Sequence, residues 1–331
     1  VNYSREQFKK LFLSPATVWL DVRAPVEFKA GAVPGAVNLP LITDEERHII
    51  GIEYKAKGQE AAVNLGHRLV QGSVREAREQ AWMDLVTSHS QVALYCFRGG
   101  MRSQIVQSWL AGRGIKQPLI DGGYKALRQF LMETVQTLTA QLKFEVVDGP
   151  TGAGKTKYLY QSSRPFIDLE ALARHRGSAF GALPQPQPSQ VDFENGLALE
   201  MLKLSHLQEP ILIENESRLI GRSVLPEVLF KKMQSSPKVV IQISLEERIE
   251  NIFEDYILNS KLGQTGDVTQ FDEFRSSINS IQRKLGLSRA SEILQDLNFC
   301  QREYESGLGL AANRAWIKKL ILWYYDPLYK K

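Results

Sequence analysis

At 331 residues the chain is long enough for two domains of ordinary size, each with its own core. Its 43% hydrophobic and 24% charged residues are those of a globular protein, and no apolar run approaches the roughly 20 residues a membrane helix needs, so no membrane-spanning role is expected. The net charge of +4 permits an anionic partner such as RNA without demanding one, while a total of two cysteines, Cys96 and Cys300, excludes a disulfide framework and fits a reducing, cytoplasmic setting.

Residues 1–13 are mixed and charged, unlike a secretory signal, and the missing initial Met leads us to expect a few residues before Val1. Residues 17–22 read as a short buried strand ending at Asp21, and residues 92–95 as another that runs directly into Cys96. From Ser103 the pattern turns helical, with Ile105, Val106, Trp109 and Leu110 on one face, and Gly112-Arg113-Gly114 stops it. Leu119-Ile120-Asp121 is a further strand closed by Gly122-Gly123. The alternation of strand and helix predicts a parallel α/β sheet. Residues 125–142 form a helix linking the halves, so we expect domains at 1–135 and 136–331. In the second, residues 144–147 are a strand, Gly149 to Thr156 the loop after it, and a helix starts near Gly154. Residues 165–169, Ile211–Glu214 and 239–243 are later strand candidates. Pro184-Gln185-Pro186-Gln187-Pro188 suits neither a regular helix nor a central strand and reads as an exposed connection or lid edge. From about Glu246 the chain is mainly helical, over 245–258, 272–285 and 288–297.

The segment Cys96-Phe97-Arg98-Gly99-Gly100-Met101-Arg102-Ser103 places a thiol between a strand end and a helix start. Backbone N–H groups of a Gly-rich turn make a nest for an anion, the helix N-terminus adds partial positive charge, and Arg98 and Arg102 add full charges. All of these favour thiolate over thiol. Most free cysteines are small buried hydrophobes. The glycines and arginines beside Cys96 favour a nucleophile instead.

Asp21-Val22-Arg23-Ala24-Pro25-Val26-Glu27-Phe28, Gly31, and Val33-Pro34-Gly35-Ala36-Val37-Asn38-Leu39-Pro40 resemble the N-terminal signature of the rhodanese domain. The Cys96 loop resembles its active-site loop, and Asp121-Gly122-Gly123 its closing turn. The resemblance implies a cysteine that takes up a chalcogen atom and hands it on. One departure is that five residues separate Cys96 from Arg102, one more than usual and a spacing shared with rhodanese-fold phosphatases. The longer loop predicts a roomier anion pocket, fit for a phosphate-bearing donor, and keeps a phosphatase open. Against that, the loop carries no acid to protonate a leaving group.

Gly149-Pro150-Thr151-Gly152-Ala153-Gly154-Lys155-Thr156 satisfies the G-x-x-x-x-G-K-T pattern with a strand before it and a helix after. Gly149, Gly152 and Gly154 let the backbone wrap a phosphate, Lys155 neutralises charge, and the Thr156 hydroxyl is a Mg²⁺ ligand of the usual kind. The motif leaves the ligand open between ATP and another diphosphate. At the end of the Ile211–Glu214 strand an acidic residue is expected to position Mg²⁺ or water, and Glu216 is favoured over Glu214. Asp168 has a similar place. Arg174 and Arg176 hold phosphate or RNA or form a solvated basic face, and Arg218 and Arg222 are weaker candidates. His67, His89 and Cys300 are read as structural.

A rhodanese-like domain followed by a P-loop domain resembles the bacterial tRNA 2-selenouridine synthase family. The likeness extends to Tyr54-Lys55 with Gly58, Leu65-Gly66-His67, Gly122 to Arg128, Tyr324 to Tyr329 and, most specifically, the whole run from Asp168 to Gly181. The family often continues past the Tyr-Asp-Pro segment, so a tail beyond Lys331 is expected. The resemblance implies a transferase acting on tRNA with 2-thiouridine at the wobble position. Geranyl diphosphate alkylates the sulfur, and selenophosphate then supplies selenium. It implies Cys96, Arg98 and Arg102 at the selenium step and the P-loop at the diphosphate, with Mg²⁺ at Thr156 and Glu216. It leaves room for a selenophosphate-producing enzyme as partner. The competing classes are a phosphatase or sulfurtransferase fused to a nucleotide-binding regulator, which would turn over without tRNA, and an anion sensor, which would bind without making product.

Overall fold

A computed structural model describes residues 2–329. In the N-terminal half, β1 (Thr17–Asp21), β2 (Val37–Asn38) and β3 (Gln91–Tyr95) form a parallel sheet in the order β2-β1-β3. Both outer strands run beside β1, with Leu20 opposite Val37 and Asp21 opposite Tyr95. Trp19, Leu20, Val92, Ala93 and Leu94 are all buried. A parallel strand covered on both faces reads as such a continuous apolar run. The expected strand at Leu119-Ile120-Asp121 is reduced to isolated bridges, Leu94 with Leu119 and Tyr3 with Ile120.

Two helices that the sequence pattern did not reveal cover this sheet region: Asp44–Leu69 and Gly72–Ser88. The first starts with a reciprocal cap. Thr43 Oγ1 accepts the Glu46 N–H at 3.2 Å and Glu46 Oε2 accepts the Thr43 N–H at 2.8 Å. It kinks at Gly58, whose φ of 84° only glycine adopts freely. Leu20, Val22, Trp82, Leu94, Val106 and Leu110 meet in the core beneath.

The linking helix runs Gly123–Gln141 and buries Tyr124, Leu127, Leu131, Val135 and Leu138, the stripe expected of an amphipathic helix. It belongs wholly to the first compact unit. That unit comprises the chain up to Gln141 together with Pro188–Leu207 and Ser223–Leu229. The division therefore falls at the end of the helix and not inside it at 135, and later chain joins the first unit. Helix Gln190–Leu204 packs on Gly123–Gln141 within it. Its Asn195 Nδ2 donates to Ala32 O at 2.7 Å, and its Asp192 Oδ1 accepts the Ala32 N–H at 2.8 Å.

The second unit holds a four-stranded parallel sheet. Its strands are β4 (Phe144–Asp148), β5 (Phe166–Ile167), β6 (Ile211–Glu214) and β7 (Lys238–Val240), in the order β5-β6-β4-β7. The helical remainder has its own core, in which Phe271, Phe274, Ile278, Ile293, Leu297 and Trp316 meet. The sequence placed the helices over 245–285 well. It stopped the next one short, since that helix runs Leu287–Glu305. Of the segment Pro184 to Pro188, residues 184–186 are exposed, while Gln187 and Pro188 are half-buried and Gln187 Nε2 donates to Ala173 O at 3.1 Å and Ile220 O at 3.0 Å. No helix among the described residues is long and apolar enough to cross a membrane.

Candidate functional site

The Cys96 loop is held from beneath by the start of helix Gly123–Gln141. The Tyr124 N–H donates to Cys96 O at 2.8 Å and the Lys125 N–H to Phe97 O at 2.9 Å. Gly123 is required there, because a Cβ would stand 2.3 Å from Gly99 N and 2.4 Å from Cys96 O. Its φ of 58° also belongs to the left-handed region. The loop then enters helix Met101–Gly112 through Gly100. Cys96 Sγ lies 3.2 Å from Ser103 Oγ, whose hydroxyl is 2.9 Å from Gly100 O.

The two arginines differ. Arg98 is exposed, with its guanidinium 5.8 Å from the Phe97 ring centre, and is free to meet an anion. Arg102 is already tied to Glu27, with Nη2 3.0 Å from Oε1 and a second bond from Nη1 to Oε2. Glu27 also accepts the Ala24 N–H. Burial opposes the Glu27 charge, but the Arg102 bonds outweigh it and hold the carboxyl below its ordinary range. Cys96, Arg98 and Arg102 line one cavity of about 710 Å³. His67, read as structural, lies on its wall beside Trp109, with ring centres 6.2 Å apart. Cys300 is buried in helix Leu287–Glu305, and burial pushes its thiol up to about 11, which agrees with a structural role.

In the second unit the P-loop follows β4 directly. Gly152 and Gly154 have φ of 82° and 76°, and a Cβ on Gly152 would meet Arg248 O at 2.9 Å. Helix Leu245–Phe253 braces the loop from behind. Its Arg248 Nε donates to Thr151 O at 2.9 Å and its Asn251 Nδ2 to Gly152 O at 2.9 Å. The Gly149 and Ala153 N–H groups donate to Asp148 Oδ1 and Pro150 O, each at 2.9 Å, so a phosphate would draw on the other amides of the loop. Lys155 Nζ rests on Gly149 O at 3.2 Å.

Glu214, not the favoured Glu216, touches the P-loop threonine. Thr156 Oγ1 donates to Glu214 Oε1 at 2.7 Å and lies 3.4 Å from Glu170 Oε2. Glu214 is fully buried and its Oε2 has no partner. Glu216 lines the P-loop cavity and is buried against Gly177, where a Cβ would lie 2.2 Å from its Oε2. Burial raises Glu170 and Glu214 well above the carboxylate range, with neighbouring carboxylates adding to it. Burial also pushes Glu216 up to about 7 despite the nearby Lys155 charge. Glu170 was not found from sequence, since its place beside Thr156 depends on a turn that no local pattern announces.

Asp168 lines the P-loop cavity, and each of its oxygens already accepts one hydrogen bond. Oδ1 accepts the Ala171 N–H at 2.7 Å, capping helix Leu169–Ala173, and Oδ2 accepts the Tyr160 hydroxyl at 2.9 Å. Arg174 is the left-handed C-cap of that helix, exposed and away from the cavity lining. Arg176 lines the cavity, donating to Asp255 O at 2.5 Å with its guanidinium 4.9 Å from the Tyr256 ring centre.

No cluster of three or more His, Cys, Asp or Glu that could hold a metal occurs among the described residues. The orphaned Glu214 oxygen beside Thr156 nevertheless fits Mg²⁺, which takes one or two carboxylates and completes its shell with phosphate oxygens and water. The cavity around the P-loop has a volume of about 1020 Å³. Its lining also includes Phe180, Tyr256, Trp316, Leu320, Ile321 and Tyr324, of which Trp316, Leu320 and Ile321 belong to the helical core as well. Such a site suits a ligand that is diphosphate at one end and hydrocarbon or ring at the other.

Two family descriptions match the chain: "Rhodanese-like domain" over residues 4–129 and "tRNA 2-selenouridine synthase AAA domain" over residues 142–331. Similar proteins cover nearly its whole length. A tRNA 2-selenouridine synthase of Nitrosomonas europaea is 45% identical over 95% of this chain and 88% of the relative. One of Bdellovibrio bacteriovorus is 45% identical over 99% and 92%. A third, of Alcanivorax borkumensis, is 45% identical over 97% and 91%.

Proposed function

The chain belongs to the tRNA 2-selenouridine synthase family, and we propose that it converts 2-thiouridine at the wobble position of tRNA to 2-selenouridine through an S-geranyl intermediate, with the two loops dividing the work. The observation that carries this division is the P-loop cavity, whose lining joins a phosphate cradle to apolar and aromatic side chains.

In the first step the thiouridine sulfur attacks the allylic carbon of geranyl diphosphate. A C–S bond forms, the C–O bond breaks, diphosphate departs with the electron pair, and the N3 proton of the base passes to the departing diphosphate or to water. The P-loop amides and Lys155 stabilise that departing charge. Thr156 and Glu214 would hold Mg²⁺, which when bound neutralises diphosphate oxygens. The Tyr256 and Tyr324 rings in the lining suit the positive charge that develops on the allyl group.

In the second step selenium from selenophosphate bonds to C2 and the geranyl thiolate leaves, taking a proton to become geranylthiol. Water receives the phosphoryl group, so S-geranyl-2-thiouridine, hydrogen selenophosphate and water give 2-selenouridine, geranylthiol and hydrogen phosphate. Cys96, with Arg98 and Arg102, serves this step. Selenium carried on Cys96 as a selenosulfide would release phosphite, because the Se–P electron pair stays on phosphorus, and a thiol reductant would then have to cleave the Se–S bond to free 2-selenouridine. Direct attack by the donor's selenium beside Cys96 releases phosphate. The phosphorus product therefore reports what Cys96 does.

The test is nucleoside analysis of 2-thiouridine tRNA incubated with the protein. Geranyl diphosphate alone should give the S-geranyl nucleoside, and both donors together 2-selenouridine. Lys155→Ala should lose the first product. Cys96→Ala should keep the first and lose the second. No geranylated nucleoside from the wild type would sink the proposal.

A further inference from the structure

The cavity at Cys96 has a lining that an anion alone does not account for. Its walls are mostly carbon: Ile50, Tyr54, Val63, Met101, Ile105 and Trp109 share its lining with Cys96. Several face water in the free protein, with Tyr54 56%, Phe97 38% and Met101 39% exposed. Positive charge sits on the same lining, at Arg47, Lys55 and Arg98, with Arg102 held by Glu27. Selenophosphate is small and highly charged, so it explains the arginines and leaves the apolar walls without a ligand. Exposed apolar surface of this kind around a reactive group marks a binding groove.

We propose that this groove holds the geranyl chain of the S-geranyl nucleotide while selenium is delivered at Cys96. The inference rests on the S-geranyl reading above. The chain's occupant follows from geometry. Bringing C2 of the base against Cys96 puts the sulfur substituent within bond lengths of the thiol, which is itself part of the groove lining. The basic lining matches the phosphates on either side of the modified nucleotide. The same walls hold the geranyl thiolate as it leaves, so the scissile C–S bond lies between an apolar leaving group and the selenium donor. The geranyl chain thus has a place in each unit, in the P-loop cavity as the diphosphate and in the Cys96 groove once attached to the base.

Fluorescent anticodon stem-loops bearing 2-thiouridine, its S-methyl derivative and its S-geranyl derivative test this, with the full chain and no selenium donor present. Wild type should bind the S-geranyl stem-loop at least about tenfold tighter than the S-methyl one, since each buried carbon adds affinity. Tyr54→Glu and Val63→Trp, which charge and fill the groove, should each remove that preference, and Tyr54→Phe should restore it. Thermal melts verify that the variants fold. Equal binding of the two stem-loops by wild type, or an undiminished preference in both folded variants, overturns the groove. Because the stem-loops are made beforehand, these results stand apart from whether the protein itself forms the geranylated nucleoside.

Discussion

Asp21 Oδ2 lies 2.6 Å from Arg23 Nη2, with both side chains out of water. Arg23 also donates to Gly31 O at 2.9 Å and stacks 3.9 Å from the Tyr124 ring centre. Burial opposes the Arg23 charge, but the bonds to Asp21 outweigh it and raise its affinity for the proton. Removing one partner leaves a buried charge alone, so Asp21→Ala should lower the stability of the first unit by about 3–5 kcal/mol in denaturant melts. The Glu27–Arg102 pair is nearer the surface and is worth about 1 kcal/mol. Its pH dependence has a definite sign. Glu27 is lowered in the fold, so its contribution is complete above its ordinary value of 4.5 and fades as pH falls through the lowered one. Melts of wild type and Glu27→Gln should therefore differ by a constant amount at neutral and mildly acidic pH and converge in acid below 4.5. A gap that persisted in strong acid would mean the pair is not its source.

The elements that carry chemistry are positioned by others far away in sequence. Asn251 reaches the P-loop from a helix about a hundred residues on, donating to Gly152 O. Asn251→Ala should raise the KM for the diphosphate donor about tenfold with little change in melting temperature, a result initial-rate kinetics would give directly. This separation explains what could be read in advance. The P-loop and the Cys96 turn are local patterns, in which glycine spacing and one functional residue announce the backbone by themselves. The contact between Glu214 and Thr156 is not local. It follows from β6 lying beside β4 with Glu214 opposite Val147, so the last residue of β6 stands level with the P-loop, while Glu216 has left the strand. Helix Asp44–Leu69 was missed for another reason: Gly51, Gly58 and Gly66 look like breaks, and its apolar residues line a groove as well as a core.

At the scale of the whole chain, the first unit is completed by sequence that follows the P-loop. Val191 packs where a Cβ on Gly31 would stand, 2.4 Å away, and Asn195 and Asp192 satisfy both backbone groups of Ala32. Asn195 also bonds Arg128 at 2.7 Å and the Tyr124 hydroxyl at 3.3 Å. Tyr124 is the residue whose N–H holds Cys96 O, so the helix Gln190–Leu204 supports the cysteine loop through one intermediate. A chain cut at residue 141 keeps every residue of the rhodanese signature yet loses these partners. Each buried group left unpaired costs about 1–3 kcal/mol, against a total stability of roughly 5–15 kcal/mol for a domain. The fragment 1–141 should therefore melt broadly and at lower temperature than the full chain. Appending residues 188–207 through a flexible Gly/Ser linker should restore a sharp transition, and Asn195→Ala in that fusion should remove much of the gain. Calorimetry of the three proteins decides it. If 1–141 alone unfolds as cooperatively as the fusion, the later helix is an accessory and not part of the unit that presents Cys96.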